Sequence, residues 1–263
     1  MKHILHDLAY HIEIDGSGPP LLLLHGFTGS TQNWQALVPA LGKTHTVIRV
    51  DLPGHGRTAL PEDPARYAMP SVAQDLAQLL VDLQVASAQV WGYSMGARLA
   101  LYLALDYPDR VNRLILESGS PGLATEDERA LRRASDEALA QCIEQDGTAA
   151  FVREWESLPM WASQSQLPAA QRQRLHELRL QNSPLGLANS LRYMGAGAQP
   201  SLWPRLPMLQ IPVALVAGTL DAKFVQIGHA MQLALPDATL HIIAGAGHAV
   251  HVERPQAVAT LIR

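Results

Sequence analysis

The strongest constraint on the fold is a regular alternation of short apolar segments with longer segments of helical periodicity. The clearest apolar run, PLLLL at residues 20–24, is typical of a strand buried on both faces of a sheet. Strands separated by helices predict a parallel sheet with right-handed crossover connections. The predicted strands are 9–14, 20–24, 45–50, 88–92, 112–117, 212–217 and 238–243, and the predicted helices are 31–41, 71–84, 95–106, 223–234 and a terminal helix from about 255.

This alternation stops near residue 120 and resumes near residue 206. In between, only helical patterns occur, and they are interrupted by Pro159, Pro168, Pro184 and Pro200. The regular spacing of Leu and Trp in this segment argues against a disordered linker. We therefore predict an α/β core formed by residues 1–120 and 206–263, with a helical insertion at residues 121–205.

Composition and charge exclude several classes of protein. The formal net charge is −4, so the chain has no basic field that would attract nucleic acid. The single cysteine, Cys142, excludes an internal disulfide and a cysteine-based zinc site. The first residues carry charges and histidines where a signal peptide is apolar, and no run approaches the roughly 18 apolar residues of a membrane span. We expect a cytoplasmic, monomeric globular protein without a metal site.

A short glycine-flanked motif, Gly92-Tyr93-Ser94-Met95-Gly96, joins a predicted buried strand to a predicted helix. A serine on such a tight turn has a strained backbone, and both glycines must lack side chains so that the neighbouring segments can pass. The bare pattern occurs by chance in about one chain in ten of this length, so the strand and helix around it carry the inference. Ser94 is the candidate nucleophile.

A serine becomes a base or nucleophile only when a histidine takes its proton. His248 is the best candidate because it lies in a glycine-rich loop directly after the last predicted strand, whereas His251 lies within the apolar alternation AVHV. The histidine needs a carboxylate that orients it and stabilises the imidazolium. Asp221 directly follows the penultimate strand and is favoured, while Asp51 and Glu117 also follow strands and are the runners-up.

Two backbone amides are candidates for stabilising negative charge that develops near the serine. His25-Gly26-Phe27 follows the buried strand at 20–24, so the Phe27 amide can face Ser94. The Met95 amide lies at the positive end of the next helix. The loop histidines His25 and His55 are expected to bond to the backbone.

Arg98 indicates the chemistry of the ligand. It lies four residues after Ser94, on the same face of the predicted helix. A permanent cation there points to a carboxylate-bearing substrate, which the planar guanidinium can hold with two hydrogen bonds. The alternative is an arginine turned to solvent or to a structural ion pair. The insertion adds nine arginines, of which two or three are expected to point inward and the rest to be solvated.

The chain resembles the α/β-hydrolase superfamily over essentially its whole length. The motifs HGFTGS, DLPGHG, GYSMG, AGTLD and AGHAVHVERP occur in the order and at the spacing of that superfamily. The resemblance implies an α/β-hydrolase fold with an eight-stranded, mostly parallel sheet flanked by helices and a helical lid. The chain order Ser94, Asp221, His248 is that of its catalytic triads. Esterases, C–C hydrolases, dehalogenases and lyases share this scaffold, so the fold leaves the reaction open.

The segments GYSMGAR, LESGSPGL, ERALRRASD, FVREWESLPMW, LRLQNSP and AGTLDAKF resemble the 2-succinyl-6-hydroxy-2,4-cyclohexadiene-1-carboxylate synthases of menaquinone biosynthesis. The resemblance extends through the insertion, where hydrolases of this superfamily diverge most. The substrate-binding residues it implies are Tyr93, Arg98, Arg132, Trp155 and Arg179. The chain departs from many relatives at Ala97, where they have glycine, and the adjacent Arg133 leaves the register at Arg132 open by one residue.

The reaction that this resemblance implies is the elimination of pyruvate from a tricarboxylate, without a cofactor. Two other interpretations remain open from the sequence. A serine hydrolase, either a carboxylesterase or a C–C bond hydrolase, would share the triad and differ in its arginines. A non-catalytic ligand receptor could keep the same fold and an intact triad.

Overall fold

Eight strands form a single sheet in the computed structural model, which describes residues 1–262. The strand order is β1-β2-β4-β3-β5-β6-β7-β8. The first two strands pair antiparallel, β2 also pairs antiparallel with β4, and the other pairs are parallel. The predicted mostly parallel sheet is confirmed. The strands are β1 (Lys2–Leu5), β2 (Leu8–Gly16), β3 (Pro20–Leu24), β4 (Thr46–Val50), β5 (Ala88–Tyr93), β6 (Val111–Glu117), β7 (Val213–Gly218) and β8 (Ala238–Ile243).

Nine α-helices surround the sheet within residues 1–262. The predicted helix at 31–41 is instead a 3-10 turn, Thr31–Trp34, followed by a short α-helix. Pro39 lies in the first turn of that short helix, where its missing amide hydrogen costs nothing, so a new helix begins there. The helices are α1 (Val38–Leu41), α2 (Met69–Asp82), α3 (Met95–Asp106), α4 (Glu126–Ser157), α5 (Ala169–Leu180), α6 (Pro184–Met194), α7 (Ala222–Ala234), α8 (Val250–Glu253) and α9 (Pro255–Ala259).

The apolar run of β3 explains why the sheet lies at the centre of the molecule. Leu22 and Leu24 pack on one face with the residues of α2 and α3, and Leu21 and Leu23 pack on the other face around Trp34. All four leucines are fully buried. Each contributes about 2 kcal/mol of hydrophobic stabilisation, so the strand is anchored on both faces. Its carboxyl end is therefore a rigid support for the loop that follows.

The insertion between β6 and β7 contains only helices and turns. Thr125 and Glu128 form a reciprocal capping box that begins α4, and Gly147, with φ 80°, breaks the helical backbone within it. Both parts of α4 pack against α6 around a buried apolar cluster that also contacts Phe27 of the core. The insertion therefore covers the carboxyl ends of the central strands. Among the helices in residues 1–262, none combines the length and apolarity needed to cross a bilayer.

Candidate active site

The candidate nucleophile lies on a sharp turn between β5 and α3. Ser94 has φ 53° and ψ −108°, a conformation that costs a non-glycine residue of the order of 1–3 kcal/mol. A side chain at Gly92 would collide with the backbone of Gly96, and a side chain at Gly96 would collide with the carbonyl of Leu24. Both glycines are therefore required for the turn, which holds the Ser94 hydroxyl clear of the sheet.

A continuous hydrogen-bonded chain joins the serine, the histidine and the aspartate. His248 Nε2 is 3.0 Å from Ser94 Oγ, and His248 Nδ1 is 2.6 Å from Asp221 Oδ2. Because the Asp221 carboxylate accepts a hydrogen bond from the protonated Nδ1, Nε2 is the nitrogen left to take the serine proton. The structure thus brings together three residues that are 127 and 27 positions apart along the chain.

Three aromatic rings surround the imidazole of His248, and a hydrogen bond fixes the backbone of this residue. The rings of Tyr93, Trp161 and Phe224 lie 5.5, 5.6 and 4.8 Å from it, centroid to centroid. Ser118, at the end of β6, donates its hydroxyl to the His248 carbonyl at 2.8 Å. The ring therefore has one orientation, with Nε2 directed to the serine.

The runner-up residues have other partners. Asp51 accepts two backbone amides with its two carboxylate oxygens. Glu117 accepts both the backbone amide and the ring Nδ1 of His251, at 3.0 and 2.8 Å. Neither carboxylate has a hydrogen bond to His248 within residues 1–262. Asp221 is the acid that the geometry supports.

The two expected oxyanion donors are free backbone amides near the serine. Within residues 1–262, neither the Phe27 amide nor the Met95 amide has a hydrogen-bond acceptor. A side chain built at Gly26 would lie 3.3 Å from the Ser94 Cβ, so the backbone before Phe27 passes directly beside the nucleophile. Both free amides can bind an oxygen that gains negative charge near Ser94.

A cavity of about 600 Å³ opens above the serine, within the range of small-molecule sites. Its walls come from the core and from the insertion. Four of the five residues expected to bind substrate line it, namely Tyr93, Arg98, Arg132 and Trp155. No group of three or more His, Cys, Asp or Glu side chains in residues 1–262 could hold a metal ion.

Arg98 is a partly buried cation in the cavity wall. Its guanidinium donates to the Gln199 side-chain oxygen at 2.8 Å and to the Met194 carbonyl at 3.0 Å. Both acceptors are neutral, and no carboxylate in residues 1–262 forms a salt bridge with it. Burial, reinforced by the positive charge of Arg132, lowers the pKa of Arg98 to about 10. The cation is oriented but not neutralised.

The two arginines expected from the insertion differ in position. Arg132 lines the cavity and forms an ion pair with Asp136 at 2.7 Å. Arg179 does not line the cavity. It pairs with Glu156 at 2.6 Å, and its guanidinium carbon lies 5.2 Å from the centroid of the Trp161 ring. Arg179 therefore packs on Trp161, which lines the cavity, and does not face the cavity itself.

Several residues of the cavity were not predicted from the sequence. Lys223 and Phe224 line the wall two and three residues after Asp221, and their position in the first turn of the helix that follows this residue could have revealed them. Trp161 lines it from the insertion. Gln199, which orients Arg98, lies 101 residues from it along the chain, and no local pattern predicts that contact.

Comparisons with known proteins agree with this geometry. The family model described as alpha/beta hydrolase fold matches residues 19–255. A Bacillus subtilis (strain 168) protein, provisionally named 2-succinyl-6-hydroxy-2,4-cyclohexadiene-1-carboxylate synthase, is 43% identical over 90% of this chain and 86% of its own length. The synthase of that name from Salmonella heidelberg (strain SL476) is 35% identical over 95% of this chain and 94% of its own.

A solved structure extends the similarity to three dimensions. The structure of MenH from S. aureus matches this chain with a TM-score of 0.91 and 34% sequence identity, covering 96% of each chain. Similarity of this extent includes the insertion as well as the core. The chain belongs to the 2-succinyl-6-hydroxy-2,4-cyclohexadiene-1-carboxylate synthase family, within the alpha/beta hydrolase fold.

Proposed function

We propose that this protein is a carbon–oxygen lyase of menaquinone biosynthesis. Its substrate would be 2-succinyl-5-enolpyruvyl-6-hydroxy-3-cyclohexene-1-carboxylate, and its products 2-succinyl-6-hydroxy-2,4-cyclohexadiene-1-carboxylate and pyruvate. The names of the relatives support the ring product. The observation that carries the proposal beyond those names is Arg98, a partly buried cation near the nucleophile whose hydrogen-bond acceptors within residues 1–262 are both neutral.

Burying a charge without a counter-ion costs several kcal/mol, so such a group is retained where a ligand supplies the opposite charge. The substrate has three carboxylates. Within residues 1–262, Arg132 and Lys223 are two more cations that line the cavity, against the single carboxylate of Glu128, and each can meet a substrate carboxylate. A hydrolase of neutral esters has no use for such a set of cations. The charge of the cavity therefore favours a polyanionic substrate.

The first chemical step is proton abstraction from the ring carbon beside the succinyl ketone. Ser94 takes this proton as its own hydroxyl proton passes to His248 Nε2, 3.0 Å away. Asp221 stabilises the resulting imidazolium through Nδ1. The ketone oxygen becomes an enolate oxygen, which the free amides of Phe27 and Met95 bind.

The second step is elimination. The electron pair of the enolate moves through the ring double bond and breaks the carbon–oxygen bond to the enolpyruvyl group. Pyruvate enolate leaves with that pair and receives the proton held by His248, directly or through Ser94. The ring, which begins with one double bond, ends with two conjugated ones, and the elimination needs neither water, an oxidant nor a reductant.

Residues 121–205 would form the lid of this site, and residues 1–120 and 206–263 its core. Trp155 and Arg132 extend from the lid into the cavity wall. Excluding water strengthens contacts between arginines and carboxylates and protects the enolate from protonation by solvent. The active form would be a monomer.

The test is pyruvate release from the tricarboxylate, generated in situ, with p-nitrophenyl acetate cleavage measured in parallel. We expect rapid pyruvate release and, by comparison, only a slow residual ester cleavage. Rapid ester cleavage without pyruvate would overturn the proposal in favour of a serine hydrolase. Tight binding of the tricarboxylate with neither activity would indicate a receptor.

A further inference from the structure

The peptide unit that presents the Phe27 amide is held by a histidine of the same loop. We propose that His25 is a positioning residue that sets the direction of this oxyanion donor and strengthens it. The inference rests on the proposed function for one point, the assignment of the Phe27 amide as an oxyanion donor. It concerns a side chain that does not line the cavity and whose two ring nitrogens both bond to backbone groups, those of Gly26 and Leu52.

The first observation is a hydrogen bond to the other end of the same peptide. His25 Nδ1 lies 2.8 Å from the Gly26 carbonyl oxygen, and the Gly29 amide donates to that oxygen at 3.0 Å. The Gly26 carbonyl and the Phe27 amide belong to one planar trans peptide unit, so they point in opposite directions. Holding the carbonyl on the core side therefore directs the amide of Phe27 to the cavity side.

The second observation identifies the tautomer of His25. The Leu52 backbone amide donates to His25 Nε2 at 2.9 Å, so Nε2 is the nitrogen without a proton. The proton is then on Nδ1, which donates to Gly26. The ring is fully buried, and burial lowers the pKa of His25 to about 4. At neutral pH His25 is thus a neutral donor, locked at both nitrogens.

Two effects on Phe27 follow. The ring connects the loop after β4 to the oxyanion peptide, so the amide has its orientation before substrate binds. Donation to a carbonyl also polarises the peptide and makes its own amide a stronger donor. Both effects matter most when an oxygen carries negative charge, so we expect them in kcat rather than in KM.

The experiment compares two substitutions that each keep one of the two hydrogen bonds. In His25→Asn the amide nitrogen takes the place of Nδ1 and can still donate to Gly26. In His25→Gln the polar end takes the place of Nε2, so it can accept from Leu52 and leaves the Gly26 carbonyl without that donor. We expect His25→Gln to lower kcat for pyruvate release 10- to 100-fold, with KM within threefold. His25→Asn should stay within fivefold of wild type.

A second readout does not depend on the lyase reaction. Phenylboronic acid forms a tetrahedral adduct with an activated serine, and one of its oxygens occupies the oxyanion site. His25→Gln should weaken this adduct at least tenfold, and His25→Asn should leave it within threefold. His45→Gln is the matched control, because it alters another buried histidine at the start of β4, whose Nδ1 contacts only Thr44. It should match wild type in both assays.

Several outcomes would overturn the role of His25. One is an equal loss in the Asn and Gln variants that follows their thermal unfolding temperatures, which would indicate support of the fold alone. Another is a rise in KM at constant kcat. If the wild type released no pyruvate, the proposed function would fail, while the boronate series would still decide whether His25 positions the amide.

Discussion

The core side of the cavity is held by short, buried hydrogen bonds, whereas the insertion side presents long side chains that reach solvent. The side chain of His248 is 3% exposed and bonded at both nitrogens, while that of Arg132 is 45% exposed and has one carboxylate partner. On the core side, strands and glycine turns impose the geometry of the nucleophile. On the insertion side, side-chain choice decides which ligand fits. The catalytic groups thus belong to the core, whereas recognition draws on both regions, because Arg98 on α3 and Lys223 on α7 line the cavity together with Arg132 of the insertion.

The largest effect should come from removing the nucleophile on the core side. Ser94→Ala should reduce pyruvate release about 10³- to 10⁴-fold, because His248 then has no hydroxyl through which to move the ring proton. Ester cleavage should be lost as well, since both reactions use the same hydroxyl. Steady-state kinetics with both substrates measure this.

The control for that loss is Ser87→Ala, which removes a serine hydroxyl from the turn before β5, where it contacts Asn112. Its activity should equal that of wild type. A Ser94→Ala enzyme that released pyruvate at the full rate would exclude proton transfer through serine, and His248 would have to act directly.

A smaller effect, confined to recognition, is expected for Arg98. Arg98→Met should lower kcat/KM for the tricarboxylate about 10²-fold, because a charge-assisted pair with a carboxylate is lost. Cleavage of neutral p-nitrophenyl acetate should stay within threefold of wild type. Arg205→Met is the matched control, since that arginine pairs with Asp106 outside the cavity. Equal losses on both substrates would show that Arg98 supports the catalytic residues rather than the ligand.

Parts of the molecule that depend on local pattern were predictable from the sequence. The apolar run of β3 is compatible only with a strand buried on both faces of a sheet. The turn at Ser94 requires the glycines that flank it. The helical character of the insertion also followed from its periodicity and prolines. The short edge strand β1 (Lys2–Leu5) was missed because most of its residues are partly or fully exposed, so no apolar pattern reveals it.

Contacts between distant segments were not predictable. Arg98 depends on Gln199 for its orientation, and Arg179 turns to Glu156 instead of the cavity. Both outcomes depend on how the helices of the insertion pack on the core, and no spacing within one segment encodes that arrangement. A resemblance can therefore indicate which arginines matter before the structure indicates how each one acts.

Acid should destabilise the core more than the insertion. Burial lowers the pKa of His55 to about 3, while an unfolded chain binds a proton at this histidine near pH 6.5. The unfolded state therefore gains protons first, and the stability that His55 contributes is complete above about pH 6.5 and falls with pH below it. At pH 5 the loss should be about 2 kcal/mol.

Urea unfolding at pH 7.5 and pH 5 measures this loss of stability. The difference in unfolding free energy between the two pH values should shrink by about 2 kcal/mol in His55→Phe, which keeps an aromatic ring beside Phe27 and removes the titrating group. An unchanged difference would show that other groups of the core, rather than this histidine, carry the acid sensitivity.

The smallest effect is expected from the ion pairs that join the two helices of the insertion. Arg192 on α6 holds Glu137 and Glu144 on α4 with bonds of 2.6 to 3.0 Å, but both carboxylates are well exposed to solvent. Solvent and salt screen such pairs, so Arg192→Met should lower Tm by at most about 3 °C. The shift should shrink further in high salt.

Arg153→Met is the control, because it removes an exposed arginine of α4 that forms no salt bridge within residues 1–262. Ester cleavage should be unchanged in both variants, since neither alters the core side of the cavity. If Arg192→Met lost more pyruvate release than Arg98→Met, the assignment of recognition to Arg98 would be wrong. Recognition would then depend on how the insertion helices are braced rather than on the cation beside the serine.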